Sequence, residues 1–218
     1  MSDMPPDLRA VLFDFDGTLI DSYPAIAASV NHVRGLHGLP PLSVLEVARH
    51  VGRGPAYLLR HTVGQGDTDA NVAAYRAHHP SVLRSGTTLL PGAREALEAL
   101  HARGIQLGIC SNKPVDYTRL LVEYLGVAGL LDVVLGPEDV GRRLKPAPDI
   151  LRLALQRLGV PPTQALYIGD MTVDVETARA AGVPVWVVAT GSDPVETLDR
   201  SRPDRRLGSL SELAALVS

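Results

Sequence analysis

The chain has 218 residues, 45% of them hydrophobic, and a formal net charge of −3. That length accommodates one domain, or a core with a modest insert. The charge leaves no broad basic footprint, which argues against nucleic acid as a partner, and no apolar run is long enough to cross a bilayer. The stretch Met1–Asp7 lacks the basic-then-apolar order of a signal peptide. A single cysteine, Cys110, cannot form an internal disulfide, which fits a reducing compartment. The expectation is a cytoplasmic protein that does not engage membranes.

The first predicted strand covers about residues 9–14 and runs into Asp14-Phe15-Asp16-Gly17-Thr18. Residues i and i+2 of a strand point the same way, so Asp14 and Asp16 leave its end close together. Two carboxylates in one crevice repel and need a hard cation, a shared proton or a positive side chain. Taken alone, the stretch also reads as a strand followed by an Asp-Gly turn.

Residues 22–86 contain no strand pattern but several helical ones, including 25–36, 43–50 and 69–84. They predict an all-helical subdomain, with Gly86 to Gly92 as the hinge returning to the core. Six of the seven histidines (His32, His37, His50, His61, His78 and His79) fall here with no metal-site spacing, so they are expected on a solvated face. Gly52-Arg53-Gly54-Pro55 places a cation between glycines ahead of a helix that Pro55 can start.

From residue 92 onward, helical patterns at 92–103, 115–125, 147–158 and 172–181 alternate with strand-like runs at 105–110, 132–135, 165–169 and 183–188. Alternation of this kind predicts an α/β fold, a Rossmann-like parallel sheet with helices on both faces. The strands are nearly all apolar, as expected when both faces are covered. Trp186 reads as sheet core and Cys110 as a buried strand residue. The tail from Pro203 adds a short strand and a closing helix, Ser211 to Val217. The expected division is a core of 1–21 and 87–218 with an all-helical insert of 22–86.

In an open parallel sheet, ligands bind at the carboxyl ends of the strands. Asp14, Asp16, Ser111 with Asn112, and Asp170 all follow strand runs and converge there. Three carboxylates with only oxygen-bearing partners suggest a hard cation such as Mg²⁺, and no His/Cys set suggests zinc. Of 21 basic residues only Lys113 and Lys145 are lysines, and both lie in or beside these motifs. A compact ammonium suits phosphate as a point charge.

Four elements in this order, Asp14 to Thr18, Ser111-Asn112, Lys145 ahead of Pro146, and Gly169-Asp170 with Asp174, resemble the haloacid dehalogenase-like phosphatase superfamily. The segments 14–22 and 145–182 look most like bacterial phosphoglycolate phosphatases. The resemblance implies a Mg²⁺-dependent phosphomonoesterase acting on a small phosphorylated metabolite such as 2-phosphoglycolate. It implies Asp14 as nucleophile and Asp16 as acid and base, and Mg²⁺ held by Asp14, Asp170 and the Asp16 carbonyl. It further implies that Asp174 supports the metal site or Lys145, that Thr18, Ser111, Asn112 and Lys145 bind phosphate, and that the helical insert of 22–86 is a cap over the site, from which Arg53 meets substrate. A β-phosphoglucomutase-like phosphotransferase and a pyrophosphatase share these residues. A dehalogenase does not need Asp16, and a Schiff-base hydrolase needs a cap lysine that is absent. A receiver-like phosphoacceptor domain lacks a helical insert after its first strand.

Overall fold

The structure is a computed structural model and describes residues 7–217. The N-terminal stretch read for targeting lies, up to Pro6, outside the described residues. Six parallel strands form one sheet: β1 (Ala10–Phe13), β4 (Gln106–Cys110), β5 (Val133–Leu135), β6 (Ala165–Gly169), β7 (Val185–Val188) and β8 (Arg205–Leu207). Their order across the sheet is β5-β4-β1-β6-β7-β8. β1 is central, with Ala10 opposite Gln106 on one side and Ala165 on the other. The chain therefore leaves β1 in both directions, and a crevice opens at its carboxyl end.

Successive residues of β1 feed two separate cores. Val11 and Phe13 pack with α5 (Ala93–Ala102), α6 (Val115–Tyr124) and α10 (Leu210–Val217), while Ala10 and Leu12 pack with α7 (Asp149–Leu158) and α8 (Thr172–Ala181). All four β1 residues are fully buried, which requires the unbroken apolar run seen in the sequence. Trp186 lies in the first of these cores, and Cys110 is buried in β4 as expected. The α7 helix starts with Asp149 in its first turn, where an acidic side chain suits the helix dipole, and stops at left-handed Gly159.

Between β1 and α5 lie α1 (Tyr23–Leu36), α2 (Val44–Ala48), α3 (Pro55–Thr62) and α4 (Thr68–Val82), with an apolar cluster of their own that includes Val30, Val47, Leu59 and Tyr75. The chain enters and leaves this helical unit through a two-stranded antiparallel ladder, β2 (Ile20–Asp21) against β3 (Thr88–Leu89). Two-residue strands carry no periodicity, so this ladder had no signature in the sequence. The same holds for α9 (Val195–Arg200), a six-residue helix.

Candidate active site

The site is built on the loop that ends β1. The main-chain N–H of Asp14 is still bonded to the Ile168 carbonyl of β6 at 2.8 Å, which places its side chain at the sheet edge. The loop then curls so tightly that the N–H groups of Thr18, Leu19 and Ile20 all point at the Phe15 carbonyl. Gly17 makes the curl possible at φ 85, and a β-carbon there would sit 2.5 Å from an Asp170 oxygen.

Two distant segments, Lys145 and the stretch from Asp170 to Asp174, bring charge to this point. Lys145 Nζ lies 3.0 Å from Asp14 and 2.6 Å from Asp174. It also donates to the Tyr167 hydroxyl at 2.9 Å. Asp170 Oδ1 accepts from the Thr18 hydroxyl at 2.9 Å. Asp174 Oδ2 accepts from the main-chain N–H groups of Asp170 and Met171, so it also ties down the start of α8. Carboxylate oxygens of Asp14, Asp170 and Asp174 lie within 4.8 Å of one another, all buried. Although Lys145 is near, Asp14 Oδ1 receives no aligned hydrogen bond.

Three carboxylates thus face one ammonium, and the proton affinities of Asp14 and Asp170 are raised. Burial pushes the Asp14 carboxyl up to about 6, with Lys145 pulling it back and Asp174 pushing further. Burial, then Asp174 and Asp14, hold Asp170 well above the usual carboxylate range. Burial alone would lower the Lys145 pKa, but the Asp14 and Asp174 charges outweigh it and raise it. The all-oxygen donor set and the excess of negative charge over the one ammonium fit a hard divalent cation.

Asp16 turns to a different cation. Lys113 Nζ donates to its two oxygens at 2.9 and 3.3 Å, and the Ser22 hydroxyl donates to Oδ1 as well. The Asp16 carboxylate is therefore paired outside the three-carboxylate cluster. Ser111 is buried, and its hydroxyl accepts from the Lys113 N–H. Asn112 donates to the Gly52 carbonyl at 3.0 Å and accepts from the Lys145 N–H at 2.8 Å, clamping a loop of the helical unit to the Lys145 loop. Arg53 is exposed and lies over the Tyr57 ring, 5.3 Å from its centroid.

The match of residues 11–188 to the family model for haloacid dehalogenase-like hydrolases spans most of the sheet and every one of these site residues. This chain belongs to the haloacid dehalogenase-like hydrolases. Among relatives in the family, a protein of Rhodospirillum rubrum named phosphoglycolate phosphatase is 40% identical over 87% of this chain and 84% of its own length. The phosphoglycolate phosphatase of Escherichia coli K12 is 33% identical over 95% of this chain and 91% of its own. Two solved structures are similar throughout. A predicted phosphoglycolate phosphatase from Haemophilus somnus 129PT superposes with a TM-score of 0.90 at 25% identity, covering 97% of this chain and 99% of its own. A family hydrolase from Deinococcus radiodurans R1, solved with bound phosphate and sodium, gives 0.78 at 28% identity, covering 96% of this chain and 97% of its own.

Three residues of the site were not assigned from sequence. Lys113 carried a signal, being one of only two lysines. Tyr167 did too: a tyrosine inside a fully buried strand needs a partner for its hydroxyl, and it meets Lys145, Asp174 and the Cys110 carbonyl. His79 departs from the expected solvated face. It is 1% exposed, stacked on Tyr75 at 4.9 Å and joined through Nδ1 to the Ser29 hydroxyl. Burial, then the Lys113 charge, lowers its pKa to about 4. Asn71, Tyr75 and His79 recur every fourth residue on the buried face of α4, which is the pattern that could have revealed it.

Close packing continues behind the carboxylates. A β-carbon on Gly191 would lie 1.6 Å from Asp170 Oδ2. Gly191→Ala is expected to destabilise the fold by roughly 1–3 kcal/mol, the usual cost of overpacking. Urea unfolding measures it, and a midpoint equal to the parent's would show that the loop yields freely.

Proposed function

We propose that this hydrolase is a phosphomonoesterase that passes through an aspartyl-phosphate on Asp14, with 2-phosphoglycolate as its leading substrate. The observation that carries the reading is the buried Asp14 carboxylate, held at 3.0 Å by Lys145, with a second carboxylate two residues on that is paired separately with Lys113. The cavity above both is lined from below by Asp14, Asp16, Ser111 and Lys113 and from above by Val51, Leu58 and Tyr75. It has a volume of about 60 Å³, room for roughly four to six water-sized groups, which suits a small metabolite. In this reading residues 1–21 and 87–218 are the catalytic core and 22–86 the cap that excludes water. The names borne by the Rhodospirillum rubrum and Escherichia coli relatives support 2-phosphoglycolate.

The chemistry follows from the two aspartates. An Asp14 oxygen attacks phosphorus as the ester oxygen leaves, and Asp16 gives that oxygen a proton. Asp16 then takes a proton from water, which attacks the phosphoryl group and frees Asp14 and inorganic phosphate. Lys145 and the Ser111 hydroxyl offset the phosphoryl charge during both steps. Asn112 holds the Lys145 loop in place, and Thr18 orients Asp170. Asp14, Asp170 and the Asp16 carbonyl would hold Mg²⁺, with Asp174 in support, and such an ion neutralises phosphate oxygens.

Phosphate release from a panel of phosphorylated metabolites tests the proposal. The expected result is turnover of 2-phosphoglycolate that EDTA abolishes, Mg²⁺ restores and excess Ca²⁺ inhibits, because Ca²⁺ takes longer bonds and more ligands. Full activity after exhaustive chelation would remove the metal from the mechanism. Absence of phosphate release from every phosphomonoester would remove the phosphatase reading itself.

A further inference from the structure

The cavity above Asp14 has two walls of different character. The core supplies nearly all of its charge, and the cap side is largely apolar: Ile26, Val51, Pro55 and Leu58. An anionic group on the far end of a substrate would be desolvated against that roof and would need a cation there. The lining contains two permanent cations, Lys113 and Arg76. Lys113 is committed to Asp16, with its side chain 4% exposed. Arg76 has no ion pair among the described residues.

The main chain at Arg76 is held in position, while its side chain is exposed at the rim of the cavity. Arg76 sits on α4 one residue after buried Tyr75, and its main-chain carbonyl accepts from the Tyr117 hydroxyl of α6 at 3.4 Å. That contact crosses the seam between the helical unit and the core. An outer groove, lined by Arg76, Pro114, Tyr117 and Arg142 among others, meets the inner cavity at this same seam. Arg76 thus lines both the groove and the cavity above Asp14. Arg53 lines neither space and lies over the Tyr57 ring.

We propose that Arg76 is the specificity residue of this site, gripping the carboxylate of a small phosphorylated carboxylic acid whose phosphate lies over Asp14. The assignment rests on the phosphomonoesterase reading above. A guanidinium presents paired N–H donors that match a carboxylate. The selected substrate class is one with a phosphate and a carboxylate separated by a short linker.

Two probes separate this role from others: 2-phosphoglycolate, and ethyl phosphate, which carries a methyl group where the first has its carboxylate. Arg76→Ala should lower kcat/KM for 2-phosphoglycolate by roughly ten- to a hundredfold and change ethyl phosphate less than about threefold. Arg76→Lys should recover part of the loss, since it keeps the charge but not the paired donors. Equal losses on both probes would reduce Arg76 to a support of the α4–α6 seam and overturn the proposal. So would no loss on either, or the selective loss arising in Arg53→Ala instead. If the parent protein releases phosphate from neither probe nor any other phosphomonoester, the phosphatase reading fails on its own. Calorimetric binding of 2-phosphoglycolate to the parent and to Arg76→Ala then decides the contact, and equal affinity would overturn it.

Discussion

Asp14→Asn is expected to fold normally and to lose at least about a thousandfold in kcat, roughly 4 kcal/mol of transition-state stabilisation. The amide matches the carboxylate in size but cannot form the acyl-phosphate, so covalent catalysis is removed while the cavity keeps its shape. The fold should not suffer. The Asp14 carboxyl rises from an ordinary 3.8 to about 6 on burial. A raised acid pKa means that folding favours the protonated form, so this group's contribution becomes unfavourable as pH climbs from about 3.8 to about 6 and stays so above that. The asparagine removes this slope. In chelating buffer at pH 7 the variant should be at least as stable as the parent in urea, and the pH dependence between 4 and 6 should flatten. Near-normal turnover would eliminate Asp14 as nucleophile. A large loss of stability would mean that Lys145 depends on the Asp14 charge more than burial penalises it.

Lys145→Met is expected to strike both activity and folding. The side chain is 1% exposed and neutralises Asp14 and Asp174 at 3.0 and 2.6 Å. Methionine retains most of the stem's packing but leaves two buried carboxylates without their ammonium. Removing one partner of a buried ion pair costs roughly 3–5 kcal/mol. The pH dependence follows from the same charges. Because folding raises the lysine pKa above its ordinary 10.5, its contribution is fully present below 10.5 and is lost as pH rises beyond it. The deficit of the variant should be wide at neutral pH and, for a separate reason, narrower near pH 5, below the value of about 6 at which Asp14 takes up its proton and needs no ammonium. Urea unfolding at pH 5 and pH 8 measures the difference. Adding Asp174→Asn should restore part of the stability, giving a coupling that only groups in contact show. Turnover should fall by several orders of magnitude in both variants, because a phosphate would approach Asp14 with no ammonium to offset its charge. A Lys145→Met protein as stable as its parent at pH 8 would show that the carboxylates are neutralised by other means.

Sequence by itself determined the fold class and the place of the acidic residues. An apolar run such as Ala10–Phe13 can be buried on both faces only in a sheet covered by helices on each side, and carboxylates that follow such runs must gather at the strands' carboxyl ends. Tertiary structure decided the pairings. Lys113 reaches Asp16 across 97 positions, and Lys145 reaches Asp174 across 29, because β4 and β6 happen to flank β1. Strand order is not written in local periodicity, so neither the Lys113–Asp16 pair nor the Tyr167 bridge between Lys145 and Asp174 was legible, and the Lys145–Asp174 contact came only as one of two roles that the family resemblance implied. The same limit applies to the seam above the site. Arg53 and Arg76 are equally cationic in the sequence and both are exposed, but the packing of α3 and α4 sets the first over Tyr57 and only the second at the edge of the cavity. A period of 3.6 says which face of a helix is buried, whereas the neighbour that buries it is chosen by the global packing of apolar surface.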